Sequence, residues 1–589
     1  MTAAGRDLLP TAGLRGIAAF LRALVRRSEV WLVVCAVIVG VMAGALVVLM
    51  SRISQLAHVL IFGIPLDQHL SASAVVTPAV ALTAPVLGGL ALGAMEWLRR
   101  RRNIPIAVDP VEANALQGGR MSLRDSLVVS VQTLISNGCG ASVGLEAGYS
   151  QIGAGLASRL GLGLRLRRND LRILVGCGAA GAIAAAFNAP LTGAFYAFEL
   201  IIGFYSIANA ASVAAAALAA VLTTQILGGA PYSIQVAPTA NIQLAHYGVI
   251  LVLGMLVSTL GIAVMRAVVL VERGFEASRL PYWLRPAAGG LLVGALALIS
   301  PQVLAAGHGA MQLDLPLNMP AATLAALIGL KLTATLISLG SGFRGGLFFA
   351  SLFVGSLAGK LFSKGVDATL PGLGMDHVSC ALAGMGVLAV AVVGGPLTMS
   401  FMVLETTGDF GLTGAVLTAC IAASLFVRAT FGYSFSTWRL HLRGETIRSA
   451  HDVGWIRTMT VGKLMRRDAR TIPAAAPLAE FRRRYPLGSA STVIALDDQE
   501  RYAGMVSVPE AFAEGRDGGV VADIARLRDT AFTPQMNIKD ALALFDQSES
   551  EALAVIDDDR KVLGALTEAY AIRRYAAEVE QANRGLMGD

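Results

Sequence analysis

Charge is scarce in this chain. Asp, Glu, Lys and Arg make up 15% of its 589 residues, against roughly 25% in soluble domains, which excludes a fold solvated throughout. Cysteine is thinly used as well. Cys35, Cys139, Cys177, Cys380 and Cys420 stand singly in apolar sequence with no CxxC spacing, so neither a disulfide framework nor a thiolate metal site is indicated. The seven histidines are dispersed too, and bland burial accounts for them. No nucleophile–base pair or metal cluster stands out, so no catalytic residue is assigned and the chain does not read as an enzyme. Basic residues outnumber acidic ones, 47 to 40, but they flank apolar runs instead of forming one stripe. That arrangement excludes nucleic acid as a partner.

What the chain has is apolar and small. Hydrophobic residues reach 55% and glycines number 64, a composition suited to helices packed closely in lipid. Long apolar runs lie near 30–50, 72–96, 172–187, 207–229, 247–271, 286–305, 321–339, 345–362, 380–406 and 412–427. Several are shorter than the roughly 20 residues of an ideal span, or are broken by Gly and Pro. Broken helices at membrane depth are tolerated where they line a cavity, which is the pattern of a transporter or channel. No secretory signal pattern opens the sequence, and residues 14–27 read as a basic amphipathic helix at the interface. Arg26-Arg27 and the run Arg99-Arg100-Arg101-Arg102 are expected to face the cytoplasm. The expectation is a multi-pass protein of the plasma (inner) membrane.

A ten-residue phrase occurs twice within the apolar sequence. Pro190-Leu-Thr-Gly-Ala-Phe-Tyr-Ala-Phe-Glu199 returns 206 residues later as Pro396-Leu-Thr-Met-Ser-Phe-Met-Val-Leu-Glu405. Each copy opens with Pro, which suits the first turn of a helix, and closes on a carboxylate that apolar surroundings make costly. A second pair reinforces the duplication. Gly144-Leu-Glu146-Ala-Gly148 runs on to Gly153, and Gly345-Gly346-Leu-Phe348-Phe-Ala350 runs on to Gly355, an offset of 202 when Gly144 is set on Gly346. Glycines ahead of a helix leave its N–H groups unobstructed, and helix N-termini carry about half a positive charge each. Two repeats of opposite orientation would bring such ends together near the bilayer midplane, so the expected cargo is an anion.

After about residue 445 the sequence turns polar, marking a soluble cytoplasmic region with its own repeat. Thr471-Ile-Pro473 pairs with Phe532-Thr-Pro534, and Thr492-Val-Ile-Ala-Leu-Asp-Asp498 with Ala552-Leu-Ala-Val-Ile-Asp-Asp558. Gly504-Met-Val-Ser507 pairs with Gly564-Ala-Leu-Thr567 at an offset of 60. Each unit reads as strand, amphipathic helix (478–485 and 538–545), buried strand, turn, strand and helix. This resembles a tandem pair of CBS modules. In nucleotide-binding modules of that kind a Ser or Thr is followed three residues later by an Asp that holds the ribose. Here Ser507 is followed by Glu510, and Thr567 by Tyr570. Adenine nucleotide binding at Ser507, Glu510 and Thr567 and a purely structural, dimerising role therefore both stand as readings.

These residues carry a wider resemblance. Ser142-Val-Gly-Leu-Glu146, Phe187-Asn-Ala-Pro-Leu-Thr-Gly193, Gly340-Ser-Gly-Phe-Arg-Gly-Gly-Leu-Phe348, Gly395-Pro-Leu-Thr398 and Glu405-Thr-Thr-Gly408 together resemble the CLC chloride channels and chloride/proton antiporters. The first is similar to the family's GREGP segment and the third to its GGIFAP segment. The resemblance implies an α-helical polytopic membrane fold, a CLC-type inverted repeat of many tilted, broken helices, followed by a soluble α/β CBS pair. The expected division is a transport domain over 1–445, with repeats about 30–229 and 245–443. A linker (446–456), CBS 1 (457–515), CBS 2 (516–580) and a tail (581–589) follow. The resemblance also implies a homodimer, with the helices over 190–229 and 396–427 suited to a close interface.

Site residues follow from the same resemblance. Glu146 stands at the family's gating glutamate. An anionic side chain competes with an anionic cargo for the same helix-end donors, and burial makes its charged form costly, so protons can switch it. Gly144, Leu145, Ala147, Gly346, Leu347 and Phe348 are implied to surround the anion, the last two through their backbone N–H groups. The family's GSGIP segment falls, by counting 36 residues back from Glu146, on Ile106-Ala107-Val108-Asp109-Pro110, so Ala107 replaces a serine that contacts the central ion. Leu145 replaces an Arg and Gly148 a Pro. The central-site tyrosine belongs near residues 431–438. Counting back from Arg443-Gly444 indicates Phe435 or Ser436, whereas chemistry favours Tyr433. Exchanger-type members often carry two adjacent carboxylates after NAPL. Here Glu199 fills the first place, as a proton route or a structural charge, and Leu200 fills the second. Leucine cannot relay protons, so the reading is a gated chloride channel. A proton-coupled chloride/H+ antiporter is the alternative, and a nucleotide-sensing regulatory membrane protein with vestigial transport a remote one. No cofactor or metal is required, and chloride or another small anion is the cargo.

Overall fold

The computed structural model describes residues 29–229, 242–371, 376–442, 459–513 and 518–575. The amphipathic stretch expected over 14–27, the Arg443-Gly444 landmark, the linker 446–456 and the tail 581–589 lie outside the described residues. The chain forms two compact units, 1–452 and 453–589.

The first unit is helical, and its helices come in two matching series. The first series is α1 (Glu29–Phe62), α2 (Pro78–Arg101), α3 (Pro110–Leu116), α4 (Leu123–Gly138), α5 (Glu146–Gly163), α6 (Arg168–Phe187), α7 (Pro190–Tyr196) and α8 (Ile207–Ile226). The second is α9 (Leu244–Ala277), α10 (Arg285–Ile299), α11 (His308–Asp314), α12 (Ala321–Ser341), α13 (Phe348–Thr369), α14 (His377–Val393), α15 (Pro396–Thr407) and α16 (Phe410–Thr430), followed by α17 (Phe435–Leu442). The long members α1 and α9 have 34 residues each. At 1.5 Å per residue that is about 51 Å, well beyond a hydrocarbon core of about 30 Å, so they tilt across it or extend past it. The seven-residue α3 and α11 are half-helices that cannot span. Among the described residues, seven helices are long and apolar enough to cross a membrane. Large apolar side chains such as Leu218, Leu222, Leu256 and Leu270 stay exposed, as a lipid-facing surface requires.

Local chemistry sets the breaks. Pro110, Pro190 and Pro396 each occupy the first turn of their helix, where a missing N–H costs nothing. Asp109 caps α3 by accepting from the Glu112 N–H at 2.8 Å, and Asp409 caps α16 by accepting from Leu412 N at 3.0 Å. Asn188, in the left-handed region at φ 53°, stops α6. α7 does not end as a regular helix. Residues Ala197–Ile202 form a π-helical turn, whereas its partner α15 stays α-helical to Thr407. The doubled phrase is therefore not conformationally identical in its two copies, and Glu199 and Leu200 lie in the irregular one.

The two series are joined reciprocally. Gly144 N donates to Gly346 O and Gly346 N donates to Gly144 O, both at 3.2 Å, in an antiparallel bridge. Ser338 Oγ of α12 accepts from Ser142 N, and Ser136 Oγ of α4 accepts from Arg344 N, each at 3.0 Å. Such exchange between chain segments running in opposite directions is the local form of an inverted repeat. The glycine found nine residues on in both copies has a matching reason. A Cβ on Gly153 would lie 2.4 Å from Gly178 O, and one on Gly355 2.4 Å from Gly384 O, so α5 meets α6 and α13 meets α14 backbone to backbone. Gly153→Ala should therefore destabilise the membrane unit by about 1–3 kcal/mol, read as a lower melting temperature in detergent. An unchanged melt would show that the crossing can widen freely.

The second unit holds α18 (Val461–Leu464), β1 (Thr471–Pro473), α19 (Leu478–Arg484), β2 (Thr492–Leu496), β3 (Tyr502–Ser507), α20 (Val508–Ala511), α21 (Ile538–Ser548), β4 (Ala552–Ile556) and β5 (Val562–Thr567). β1 pairs parallel with β2, which pairs antiparallel with β3; β4 pairs antiparallel with β5. The pairing shifts register between Ala495 and Leu496, and again between Val555 and Ile556, 60 residues on. Packing crosses the split expected at 515/516. Met459, Val461 and Leu464 pack with Phe545 and Leu553 of the second module. Val521 and Ile524 pack with Ile472 and Val506 of the first, and Arg526 exchanges both backbone hydrogen bonds with Met505. Each module is completed by the segment that precedes the other.

Candidate functional site

The Gly144–Gly346 bridge sets the beginnings of α5 and α13 side by side. Their i→i−4 ladders open with Tyr149 N on Leu145 O (3.0 Å) and Ser351 N on Leu347 O (2.8 Å). The N–H groups of Glu146, Ala147 and Gly148, and of Phe348, Phe349 and Ala350, therefore precede the ladders and carry the positive ends of two helix dipoles. The Gly144 and Gly346 amides are directed at each other across the bridge. Their lack of side chains matters more, because a Cβ on Gly144 would lie 1.9 Å from Glu146 Oε2.

Glu146 folds over that glycine. Its side chain is 4% exposed, and its carboxylate hydrogen-bonds its own backbone N–H at the helix start. Oε2 is buried with no hydrogen-bond partner. The carboxylate thus occupies helix-end donors as an anion would, in a pocket with little else to hold it. Leu145 packs beside Ala43, Met50 and Tyr149. Leu347 and Phe348 are buried in the large core cluster, and Phe187 lies against Phe348 with ring centroids 5.3 Å apart.

Other candidates fall elsewhere. Ala107 lies half-buried in the segment before α3, tied to α5 where Gln151 Nε2 donates to the neighbouring Val108 carbonyl at 2.9 Å. The Tyr433 hydroxyl is 3.2 Å from His441 Nδ1, and its ring joins Phe431, Trp438 and His441. Phe435 packs against the core. The hydroxyl-bearing ring that the structure sets beside Phe348 is Tyr196, with centroids 6.2 Å apart and a hydrogen bond to the Ser150 side chain. A cavity of about 110 Å³ is lined by Tyr196, Glu199, Leu200, Gly395, Arg428 and Tyr433 among others.

Glu199 has a specific task. Its carboxylate accepts from Leu397 N (3.0 Å), Thr398 N (2.8 Å) and Thr398 Oγ1 (2.7 Å), capping α15. Glu405 does the same for α7, accepting from Leu191 N (2.7 Å), Thr192 N (2.8 Å) and Thr192 Oγ1 (2.6 Å). Each copy of the doubled phrase thus supplies the cap of the other. Leu200 packs into the apolar cluster of Ala113, Met121 and Ile201. Sequence reasoning missed Tyr196 and His308. His308 Nε2 is 3.8 Å from Glu146 Oε1. The signal for it was positional: His308 opens the half-helix that corresponds, 198 residues on, to α3 at Pro110.

The family model described as voltage gated chloride channel matches residues 92–428, more than half of the chain. The chain belongs to this family. It is a CLC-family membrane anion transport protein and not an enzyme, followed by a region whose residues 521–577 match the CBS domain model. It is similar to the putative chloride channel protein ClcB-like of Ralstonia nicotianae, 35% identical over 62% of this chain and 86% of the relative. It is also similar to the voltage-gated ClC-type chloride channel ClcB of Escherichia coli O81, 30% identical over 67% and 94%. Among solved structures, a slow cyanobacterial Cl-/H+ antiporter superposes with TM-score 0.59 at 24% identity, over 70% of this chain and 97% of that one. A eukaryotic CLC transporter superposes with TM-score 0.59 at 16% identity over 94% and 98%. These likenesses establish the CLC fold.

In the second unit Ser507 ends β3 immediately before α20, and Thr567 ends β5 opposite Ala552. Glu510 is held by Arg526, whose Nη2 donates to Oε1 at 2.7 Å.

Proposed function

We propose that this CLC protein conducts chloride as a gated channel, along a path that passes the paired starts of α5 and α13, with the Glu146 carboxylate as gate. The observation that carries the reading is the Glu146 side chain itself, buried and bonded to its own helix-start N–H. A carboxylate and a chloride compete for those donors, so one must leave before the other enters. The N–H groups of Leu347 and Phe348 supply the second helix end, with Leu145 and Ala147 beside the first. Ala107 brings no hydroxyl to this path, and the Tyr433 hydroxyl is engaged by His441. Tyr196, beside Phe348, carries the hydroxyl nearest that residue among the aromatic contacts described, and it is hydrogen-bonded to Ser150.

Leu200 favours the channel over the exchanger. It packs among apolar side chains at the place where a second carboxylate would stand, while the Glu199 carboxylate is taken up in capping α15. Proton-coupled exchange is the second reading, favoured by retention of Glu146. Purified protein in liposomes under a chloride gradient separates the two. Chloride should run down its gradient without moving protons uphill; uphill proton movement would sink the channel reading.

The Arg99–Arg102 end of α2 faces the cytoplasm of the inner membrane, on the same side as the CBS tail. A homodimer forms through α7, α8, α15 and α16, which leave Leu191, Leu222 and Leu425 exposed. The CBS pair is structural, because the carboxylate that would hold a ribose, Glu510, is already paired with Arg526.

A further inference from the structure

His308 lies where the gate could meet the outer solution. It opens α11, stacks on Phe349 with ring centroids 3.7 Å apart, and sets Nε2 3.8 Å from Glu146 Oε1. That separation exceeds a hydrogen bond, but a small ring movement or one water closes it. Its side chain is 23% exposed against 4% for Glu146, so the imidazole reaches solvent and the carboxylate does not.

The half-helix that presents His308 is fixed at both ends. Ser71 Oγ accepts from Gly309 N and Ala310 N at 3.0 and 3.2 Å. Lys360 Nζ donates to Asp314 O and Leu317 O at 2.5 and 2.9 Å. Buried Lys331 holds the approach to α11 by donating to Val303 O and Ala305 O. Ser71 belongs to the short helical turn Leu70–Ala72 between α1 and α2. It precedes the start of α2, opposite the arginine-rich end of that helix. By the positive-inside rule, His308 therefore faces the outer side.

The titratable groups around His308 are His69, from the segment before that turn with ring centroids 6.1 Å away, His58 of α1, Lys331 of α12 and Glu146 of α5. Of these only Glu146 is a carboxylate. His58 Nε2 is occupied 2.9 Å from Asn137 O, and Lys331 by the two carbonyls named above.

We propose that His308 exchanges protons between the outer solution and the gating carboxylate, a role that rests on Glu146 being the gate. An imidazolium formed by uptake of an outer proton passes its Nε2 proton to Glu146 Oε1. The products are neutral imidazole and a neutral carboxylic acid, with the total charge unchanged. The neutral acid no longer competes with an anion for the helix end and is free to leave it.

The test uses the full chain in liposomes, with flux recorded after steps of outer pH. His308→Gln should reduce the flux increase on outer acidification about tenfold and leave the flux of the Glu146→Gln background unchanged. His308→Phe, which keeps the ring on Phe349, should behave alike and stands in where the Gln variant does not fold. If Glu146→Gln is blind to pH while both His308 variants keep the wild-type response, His308 is no relay and the gate reading survives. If Glu146→Gln itself still responds to pH, the gate reading fails first. A His308 variant that alters flux in the Glu146→Gln background has a merely structural role, which also overturns the proposal.

Discussion

Glu146→Gln is expected to leave anion flux intact and to erase its dependence on pH. The amide keeps the size of the carboxyl but carries no charge at any pH, so it mimics the protonated gate. In the wild type a fall in pH neutralises the carboxylate and releases the helix-end donors, so flux rises as pH falls. Well above the midpoint of that titration, the protonated fraction changes up to tenfold per pH unit. The variant should be flat within about twofold over the same range. Flux through the wild type and the variant in liposomes, from pH 5 to 8 on both sides, decides the matter. A variant with the wild-type slope would remove Glu146 from the gate and leave it a buried structural acid. A variant with no flux at all would mean that the carboxylate is needed for more than blocking.

The second large effect is on stability. Glu405→Ala strands the N–H groups of Leu191 and Thr192 and the Thr192 hydroxyl, three donors that it accepts at 2.6–2.8 Å. Hydrogen bonds to a charged group contribute about 1.5–3 kcal/mol each and do not add fully, so the loss should be about 2–4 kcal/mol. Glu199→Ala strands Leu397, Thr398 and the Thr398 hydroxyl in the same manner, and should cost a similar amount. Thr192→Val and Thr398→Val remove one bond each and should cost about 1 kcal/mol. Detergent melts of the four variants check this, and the two halves of the molecule should give matched pairs of values. A Glu199→Ala protein that melts like the wild type would show that the cap of α15 is dispensable.

Much of this was legible in one dimension. The doubled phrase, the glycines ahead of Glu146 and Phe348, and the long apolar runs gave the duplication, the helix-end pair and the membrane setting, because each depends on residues close together in sequence. Glu199 and Glu405 were visible as costly carboxylates, but not as mutual caps. That relation joins residues about 200 positions apart, and nothing local in either copy states it. The π-helical turn at Ala197–Ile202 was equally hidden, since the two copies keep the same spacing from Pro to Glu. His308 was passed over as one more dispersed histidine. Its significance comes from the short half-helix that carries it and from Phe349 beneath it. The exchange of completing segments between the CBS modules was invisible for the same reason: the repeat of 60 residues is real, but packing joins each segment to the unit that does not follow it.

The reciprocal caps have a consequence for the order in which the protein is made. When Pro190-Leu-Thr leaves the ribosome, the carboxylate that will hold it lies more than 200 residues further along the message. At roughly 5–20 residues per second that gap is about 10–40 s. Throughout it, α7 has no cap and Glu199 has no helix to receive it, both in or near lipid. The first half therefore cannot finish before the second begins to arrive. A ribosome stalled after α8 should hold an incomplete, chaperone-dependent half in the membrane, and separately expressed halves should be stable only when made together.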